Sequence, residues 1–419
     1  AVAGWCEAVE RFGRMSMAEV LAPAIEYAER GFPVSPIIAR GWANQVAKLR
    51  QYSGDDGGGY LIGGRAPQAG EVWRQPALAR SLRAIAEGGR DAYYRGPIAR
   101  AIAETVQAAG GVLTEQDLAA NAPTWDEPIS VDYRGVQVVE TPPNGQGLAA
   151  LIALGVARGW DLAALGFGTP QAVHLMAEAM KVGWADALEY VADPAFAPAP
   201  LDALLSPDYA ARRAGHVTPS RASQYPAGRF AAASDTVYLT VVDADRNAVS
   251  FINSNYAGIG SGLVVRDWGI ALQNRGANFG LNDAHANVVA PGKRPYHTII
   301  PAMALRDGRP WLSFGVMGGF MQPQGHVQVL SNIVDFGMDP QAALDAPRWS
   351  VEPTTGDLTL ESGLAGLADA LVGLGHRVTV AGPDERGQFG GGQAIMIDPE
   401  TNMLHAGSDP RKDGCAVGY

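Results

Sequence analysis

The sequence is poor in the residues that usually announce a mechanism. Only two of its 419 residues are cysteine, Cys6 and Cys415, near opposite ends of the chain. Neither a thiolate metal cluster nor a disulfide framework can be built from them. Two separate thiols, or a single bridge between the ends, are what remain. No apolar run approaches the ~20 residues needed to span a bilayer. The seven histidines offer no His-Glu-x-x-His or other paired metal spacing, so no metal is expected. A Gly-x-Ser-x-Gly elbow, the serine-hydrolase signal, is absent too. The glycine-rich stretch 54–66 lacks a strand before it, a helix after it and a Gly-Lys-Ser/Thr ending, so it reads as an exposed loop and not as a phosphate cradle. Positive charge is scarce and scattered: 32 Lys and Arg against 43 Asp and Glu give a net charge of −11. Such a surface repels nucleic acid and anionic membranes, and neither is expected as a partner. No cofactor is implied. The chain opens on Ala1 without a signal-peptide pattern and is silent about export.

What is there suits a large folded core. Hydrophobic residues make up 47% and charged residues 18%, and 52 glycines with 28 prolines supply many turns. Ser16-Met17-Ala18-Glu19 is a capping-box pattern opening a helix that Gly31 and Pro33 close. Residues 76–109 are mostly helical in pattern. Val136–Glu140 reads as a strand, 141–147 as a turn-rich loop and 148–156 as an apolar helix. Thr169-Pro170 opens a helix whose residues Val173, Met176, Ala177, Met180 and Trp184 bury one face. His174 lies on that helix, in the core or at its rim.

From His216 to Ser234 the texture changes to Ala, Ser, Arg and Pro without a period. This is either a surface linker or a pro-segment leading to a scission point. Beyond it, 236–253 alternate as a hairpin around Asp245-Arg246-Asn247. Strands are predicted at 269–273, 298–306, 311–316, 358–361, 376–380 and 393–397, with helices at 323–336 and 340–344. A helix-rich first half and a strand-rich second half suggest an α+β layered fold. There is no internal repeat.

Thr236 stands where the linker meets the hairpin. A threonine hydroxyl is a weak nucleophile until its proton is removed, and a free α-amino group on the same residue can remove it. Only scission of the bond after Asp235 would create that amine. A strand that simply begins with threonine fits the same spacing. Further along, Gly318 and Gly319 lie between a predicted strand and a predicted helix. Paired glycines there can offer backbone N–H groups to a developing oxyanion, or merely make a tight turn.

These segments together resemble the γ-glutamyltransferase family of N-terminal-nucleophile hydrolases. The resemblance runs over nearly the whole chain. It rests on Ala1-Val2-Ala3-Gly4-Trp5, Pro142-Pro143-Asn144-Gly145-Gln146-Gly147, Ala177-Glu178-Ala179-Met180-Lys181, Asp235-Thr236, Pro291-Gly292-Lys293-Arg294-Pro295, Gly318-Gly319, Ala346-Pro347-Arg348 and Asp409-Pro410-Arg411, in that order. It implies a four-layer αββα sandwich made as one precursor. Residues 1–235 would be the large-subunit portion and 236–419 the small subunit, the two forming one composite domain. Thr236 would attack the Asp235 carbonyl to cut the chain, then attack a small-molecule amide. Gly318 and Gly319 would hold the oxyanion, and water or an amine would release the acyl group. The first segment resembles one lying well inside the family's precursor.

Within the resemblance some positions depart. Ser254 stands where the family has a helper threonine, and Tyr256 replaces an asparagine. Arg275 replaces a glutamine, Asn278 the aspartate that grips an α-ammonium, and His297-Thr298 a pair of serines. Asn278 supplies no anion for an ammonium, whereas Arg275 offers a fork suited to a carboxylate or to a structural ion pair. The expected substrate is therefore a γ-glutamyl or similar carboxylate-bearing amide, with Arg275, Asn278, Tyr256, His297 and Thr298 around it. The pattern lies nearer the oxamate amidohydrolase-like and glutathione hydrolase-like branch than the best-known transpeptidases. A non-catalytic family member that keeps the fold and acts as a binding or structural protein is the alternative.

Overall fold

The computed structural model describes residues 1–225 and 236–419. Asp235, the residue expected before the cut, lies outside the described residues. The chain forms two compact units, one from 1–125 with 257–274 and one from 126–256 with 275–419.

The first unit is mainly helical. The predicted capping box closes in both directions: Ser16 Oγ accepts from Glu19 N at 3.3 Å, and Glu19 Oε2 accepts from Ser16 N at 2.7 Å. The helix Met17–Arg30 follows and stops at Gly31. It packs on Pro76–Tyr94, around a small core of Val2, Ala3, Leu21, Ile85 and Tyr94. The predicted helical stretch 76–109 is three helical segments. Pro76–Tyr94 is broken at Gly89, whose φ of 58° and ψ of −145° are not helical. Pro97, with its fixed φ and no N–H to donate, starts the next, Pro97–Ala108. The glycine-rich stretch holds a short 3-10 turn, Gly57–Gly59. A Cβ on Gly58 would lie 2.5 Å from the Val264 side chain, so only glycine fits there.

The second unit is built on a six-stranded sheet. Its order is Leu404–Ser408, Gly391–Ile397, Arg309–Met317, Ala302–Arg306, Val136–Glu140, Ile129–Tyr133, and every neighbouring pair is antiparallel. The Arg309–Met317 strand is buried on both faces, and its alternation shows what lies on each. Phe314 meets the His326 ring, and Val316 meets Gly325, both on the helix Met321–Val334. Ser313 and Gly315 point the other way, toward the hairpin Val237–Val242 and Ala248–Asn253. Thr240 Oγ1 donates to Ser313 Oγ at 2.6 Å, and a Cβ on Gly315 would strike the Tyr238 ring.

Gly147–Ala157 joins Met321–Val334 on the helical face, and Pro170–Tyr190 packs on Gly147–Ala157. The unit thus stacks helices, sheet and hairpin, three of the four layers expected. The hairpin is inverted in polarity. Hydroxyls of Thr240, Ser250 and Ser313 lie at its inner face, while Val237, Leu239, Val241, Val249 and Phe251 on the outer face are exposed.

Several expectations need correction. The Pro170–Tyr190 helix is capped as predicted, with Thr169 Oγ1 accepting from Ala172 N. However, it buries every side from Ala172 to Leu188, not one face. Its charged residues allow this by pairing internally, Lys181 with Glu178, or with a neighbouring helix, Asp186 with Arg213. His174 is in the core. The strand predicted over 298–306 begins only at Ala302, Pro301 having no N–H for the ladder. The helix predicted from residue 323 starts at Met321, with Pro323 in its first turn where proline is tolerated.

Candidate functional site

Thr236 is 4% exposed and sits immediately before the hairpin's first strand. Contacts between that strand and Arg309–Met317 step by two: Thr240 on Ser313, then Tyr238 on Gly315. Extending the step carries Thr236 to the level of Met317, beside the Gly318-Gly319 turn. Gly318 has φ 131° and Gly319 φ 61°, both in the region that penalises a Cβ. Their carbonyls accept from Met321 N and Gln322 N, at 3.0 and 3.1 Å, which starts the helix. The turn therefore sits at a helix N-terminus, where backbone N–H groups and the helix dipole favour negative charge.

From Thr236 a chain of contacts runs through most of the predicted residues. Thr236 Oγ1 donates to Ser254 Oγ at 3.0 Å. Ser254 Oγ accepts from Tyr256 N at 2.9 Å. Tyr256 adopts φ 77°, a conformation that asparagine tolerates and tyrosine rarely takes. This bend sets its ring 4.8 Å from the Arg275 guanidinium. Arg275, itself buried, donates to Thr298 Oγ1 at 2.5 Å. Burial pulls the Arg275 pKa down to about 10, so the site holds a poorly hydrated cation.

His297 and Asn278 flank this chain. Burial first, and the Arg275 charge second, push the His297 pKa down to about 4, leaving a neutral ring at physiological pH. Asn144 Nδ2 lies 2.8 Å from its Nδ1. Asn278 Nδ2 donates to Tyr296 O at 2.9 Å. Its Oδ1 is buried and has no hydrogen-bond partner among the described residues. A buried acceptor left in that state invites a donor.

Gln146 has no role in the sequence reading beyond its place in the Pro-Pro-Asn-Gly-Gln-Gly loop. It is fully buried, and its Nε2 donates to both Thr298 O and Gly319 O, at 2.7 and 2.8 Å. Tyr296 OH donates to its Oε1 at 3.3 Å. One amide thus joins the Arg275 side of the site to the glycine turn. A polar residue just ahead of an entirely apolar helix was the available signal; no periodicity marks it.

Among the described residues one trio, His174, Glu178 and His376, brings metal-ligand atoms within 4.8 Å of one another. The Lys181 ammonium already stands on it, 2.7 Å from Glu178 Oε1 and 3.4 Å from His376 Nδ1. A resident cation there replaces a metal's charge, and the trio shares no residue with the Thr236 site.

The family model described as "Gamma-glutamyltranspeptidase" matches residues 1–419. Among curated relatives, the glutathione hydrolase-like YwrD proenzyme of Bacillus subtilis (strain 168) is 38% identical, over 100% of this chain and 79% of the relative. The oxamate amidohydrolase proenzyme of Klebsiella pneumoniae is 36% identical, over 100% of this chain and 80% of the relative. Among solved structures, cephalosporin acylase from Bacillus halodurans superposes with a TM-score of 0.94 at 43% identity, covering 100% of this chain and 77% of that one.

Proposed function

The chain belongs to the γ-glutamyltranspeptidase family, and from that premise we propose that it is a self-processing amidohydrolase whose nucleophile is Thr236. The family is one of N-terminal-nucleophile hydrolases, and relatives named as proenzymes support synthesis as a precursor. In this reading Thr236 Oγ1 attacks the Asp235 carbonyl, the peptide nitrogen leaves as the new α-amine, and water hydrolyses the resulting ester. Residues 1–235 become the large-subunit portion and 236–419 the small subunit. The freed α-amine then takes the Oγ1 proton as the hydroxyl attacks a substrate amide. Gly318 and Gly319 hold the oxyanion at the helix N-terminus. Ser254 orients the attacking hydroxyl. Water, or an amine, releases the acyl group.

The observation that carries this reading is the hydrogen bond from Thr236 to Ser254 at a buried position immediately before the hairpin's first strand. The two-residue step of the contacts at Thr240 and Tyr238, extended to Thr236, supports a place beside the glycine turn. The substrate follows from the groups around it. Arg275 and Thr298 suit a carboxylate on the acyl group, and His297, neutral, closes that side without adding charge. Asn278 Oδ1 accepts a neutral N–H or O–H and gives an ammonium no counter-ion. A glutaryl group keeps the carboxylate of a γ-glutamyl group and lacks its amine, so it fits these residues better.

Turnover of glutaryl-p-nitroanilide, γ-glutamyl-p-nitroanilide, glutathione and oxamate by the wild type and by Thr236→Ala tests the reading. Hydrolysis that favours the glutaryl compound and vanishes in Thr236→Ala is expected. Activity that survives in Thr236→Ala contradicts it.

A further inference from the structure

Residues 218–225 lead toward Thr236, and a buried charged cluster outside the site grips their main chain. Glu178, Lys181 and His174 come from the Pro170–Tyr190 helix, and His376 from the segment before the short strand Val378–Val380. All four are buried. Ser223 N donates to Glu178 Oε2 at 2.9 Å, and Lys181 Nζ donates to Ser223 O at 3.2 Å. Tyr225 OH reaches Glu178 Oε2 at 3.4 Å. His174 Nε2 lies 3.0 Å from Thr218 O.

The proton positions in this cluster follow from one fact: an ammonium only donates. Lys181 Nζ, 3.4 Å from His376 Nδ1, makes that nitrogen the acceptor. His376 Nε2 then carries the proton and donates across 2.8 Å to His174 Nδ1. His174 Nε2 in turn carries a proton and donates to the Thr218 carbonyl. A single directed chain, Lys181 to His376 to His174 to Thr218, fastens one end of the segment. The Glu178 carboxylate and the Lys181 ammonium fasten the other at Ser223. Burying an ion pair costs desolvation, so its use on loop main chain points to registry and not to stability.

We propose that the His174, Glu178, Lys181 and His376 cluster is a clasp that holds residues 218–225 in the register needed for autocleavage before Thr236. The proposal rests on the self-processing reading above. Anchoring 218–225 limits the freedom of the chain that leads into the scissile bond, so that bond meets the geometry for attack by Thr236 Oγ1 more often. The four residues are positioning residues. Their work ends when the bond is cut, because the mature nucleophile no longer depends on the chain before it.

Cell-free synthesis of the full chain, sampled in time on denaturing gels, measures the rate at which a fragment beginning at Thr236 forms. The double variant Glu178→Gln with Lys181→Met removes both charges together, and Ser223→Pro removes the main-chain N–H that the segment donates to Glu178. Each is expected to slow cleavage about tenfold or more. Protein that has finished processing should keep its kcat within about twofold of wild type, on whichever p-nitroanilide the wild type turns over. Cleavage at the wild-type rate in both variants overturns the clasp, and so does a kcat that falls in parallel with cleavage. If the double variant is insoluble, Ser223→Pro decides alone. A wild type that is never cleaved overturns the self-processing reading and the clasp with it. A cleaved wild type with normal variants overturns the clasp only.

Discussion

The Thr236 hydroxyl donates to Ser254 Oγ across 3.0 Å, from the residue just before the hairpin's first strand to the residue just after its second. Ser254 Oγ also accepts from Tyr256 N, so the loop that follows the hairpin fixes where the acceptor sits. Ser254→Ala removes the group that, in the proposed mechanism, orients the nucleophile. Both autocleavage and kcat should fall by roughly tenfold, the worth of about one hydrogen bond between neutral groups. Ser254→Thr, which keeps the hydroxyl, should recover most of both. Gel densitometry and steady-state rates on the same samples measure this; equal losses in the two variants would remove the hydroxyl from the account.

Gln146 donates to two buried carbonyls, one from Thr298 and one from Gly319. Gln146→Met keeps the volume and loses both bonds. The expected result is a kcat lower by about tenfold with KM within about twofold, because the glycine turn proposed to hold the oxyanion loosens while the Arg275 side chain still donates to Thr298 Oγ1. A rise in KM with kcat unchanged would mean that Gln146 serves the substrate pocket and not the turn.

Much of this was legible in the sequence where a local rule governs. The capping box at Ser16 and Glu19, the Thr169 cap and the 236–253 hairpin follow from spacing and propensity. The residues linking Thr236 to Arg275 and Thr298 were named from the family pattern, and the structure joins them by contact. What stayed hidden depends on distant partners. Gln146 is polar in an apolar neighbourhood, and its purpose shows only when residues 298 and 319 come beside it. The Pro170–Tyr190 helix reads as half-buried because Glu178, Lys181 and Asp186 look like surface charges; they are internal because each finds a partner. The edge strands Ile129–Tyr133 and Leu404–Ser408 stayed hidden too, although Arg134-Gly135, both at positive φ, make the two-residue turn that joins the first to Val136–Glu140.

Asn278 offers a test of specificity. Its Oδ1 is buried without a hydrogen-bond partner among the described residues, where the family pattern has an aspartate. Asn278→Asp creates an anion close to the site and should raise the kcat/KM ratio of γ-glutamyl-p-nitroanilide to glutaryl-p-nitroanilide by about tenfold or more. An unchanged ratio would place Asn278 outside the acyl pocket.

His297 links stability to pH. Its folded pKa, about 4, lies below the usual 6.5. Well above pH 6.5 both the folded and the unfolded ring are neutral, and the contribution is complete. Between 6.5 and 4 the unfolded chain takes a proton that the folded ring refuses, so stability falls as pH drops through this window. His297→Gln has no such proton to take up. Its urea midpoint should fall less than the wild type's between about pH 7 and pH 4.5. Parallel curves for the two proteins would show that the ring is not held neutral.

Whether Thr236 becomes an N-terminus is directly measurable. Intact-mass spectrometry of the purified wild type, beside Thr236→Ala, decides it. Two chains, 1–235 and 236–419, the second with a free amine on Thr236, are expected from the wild type, and one uncut chain from the variant. An uncut wild type, or a cut at the same bond in Thr236→Ala, would contradict the account.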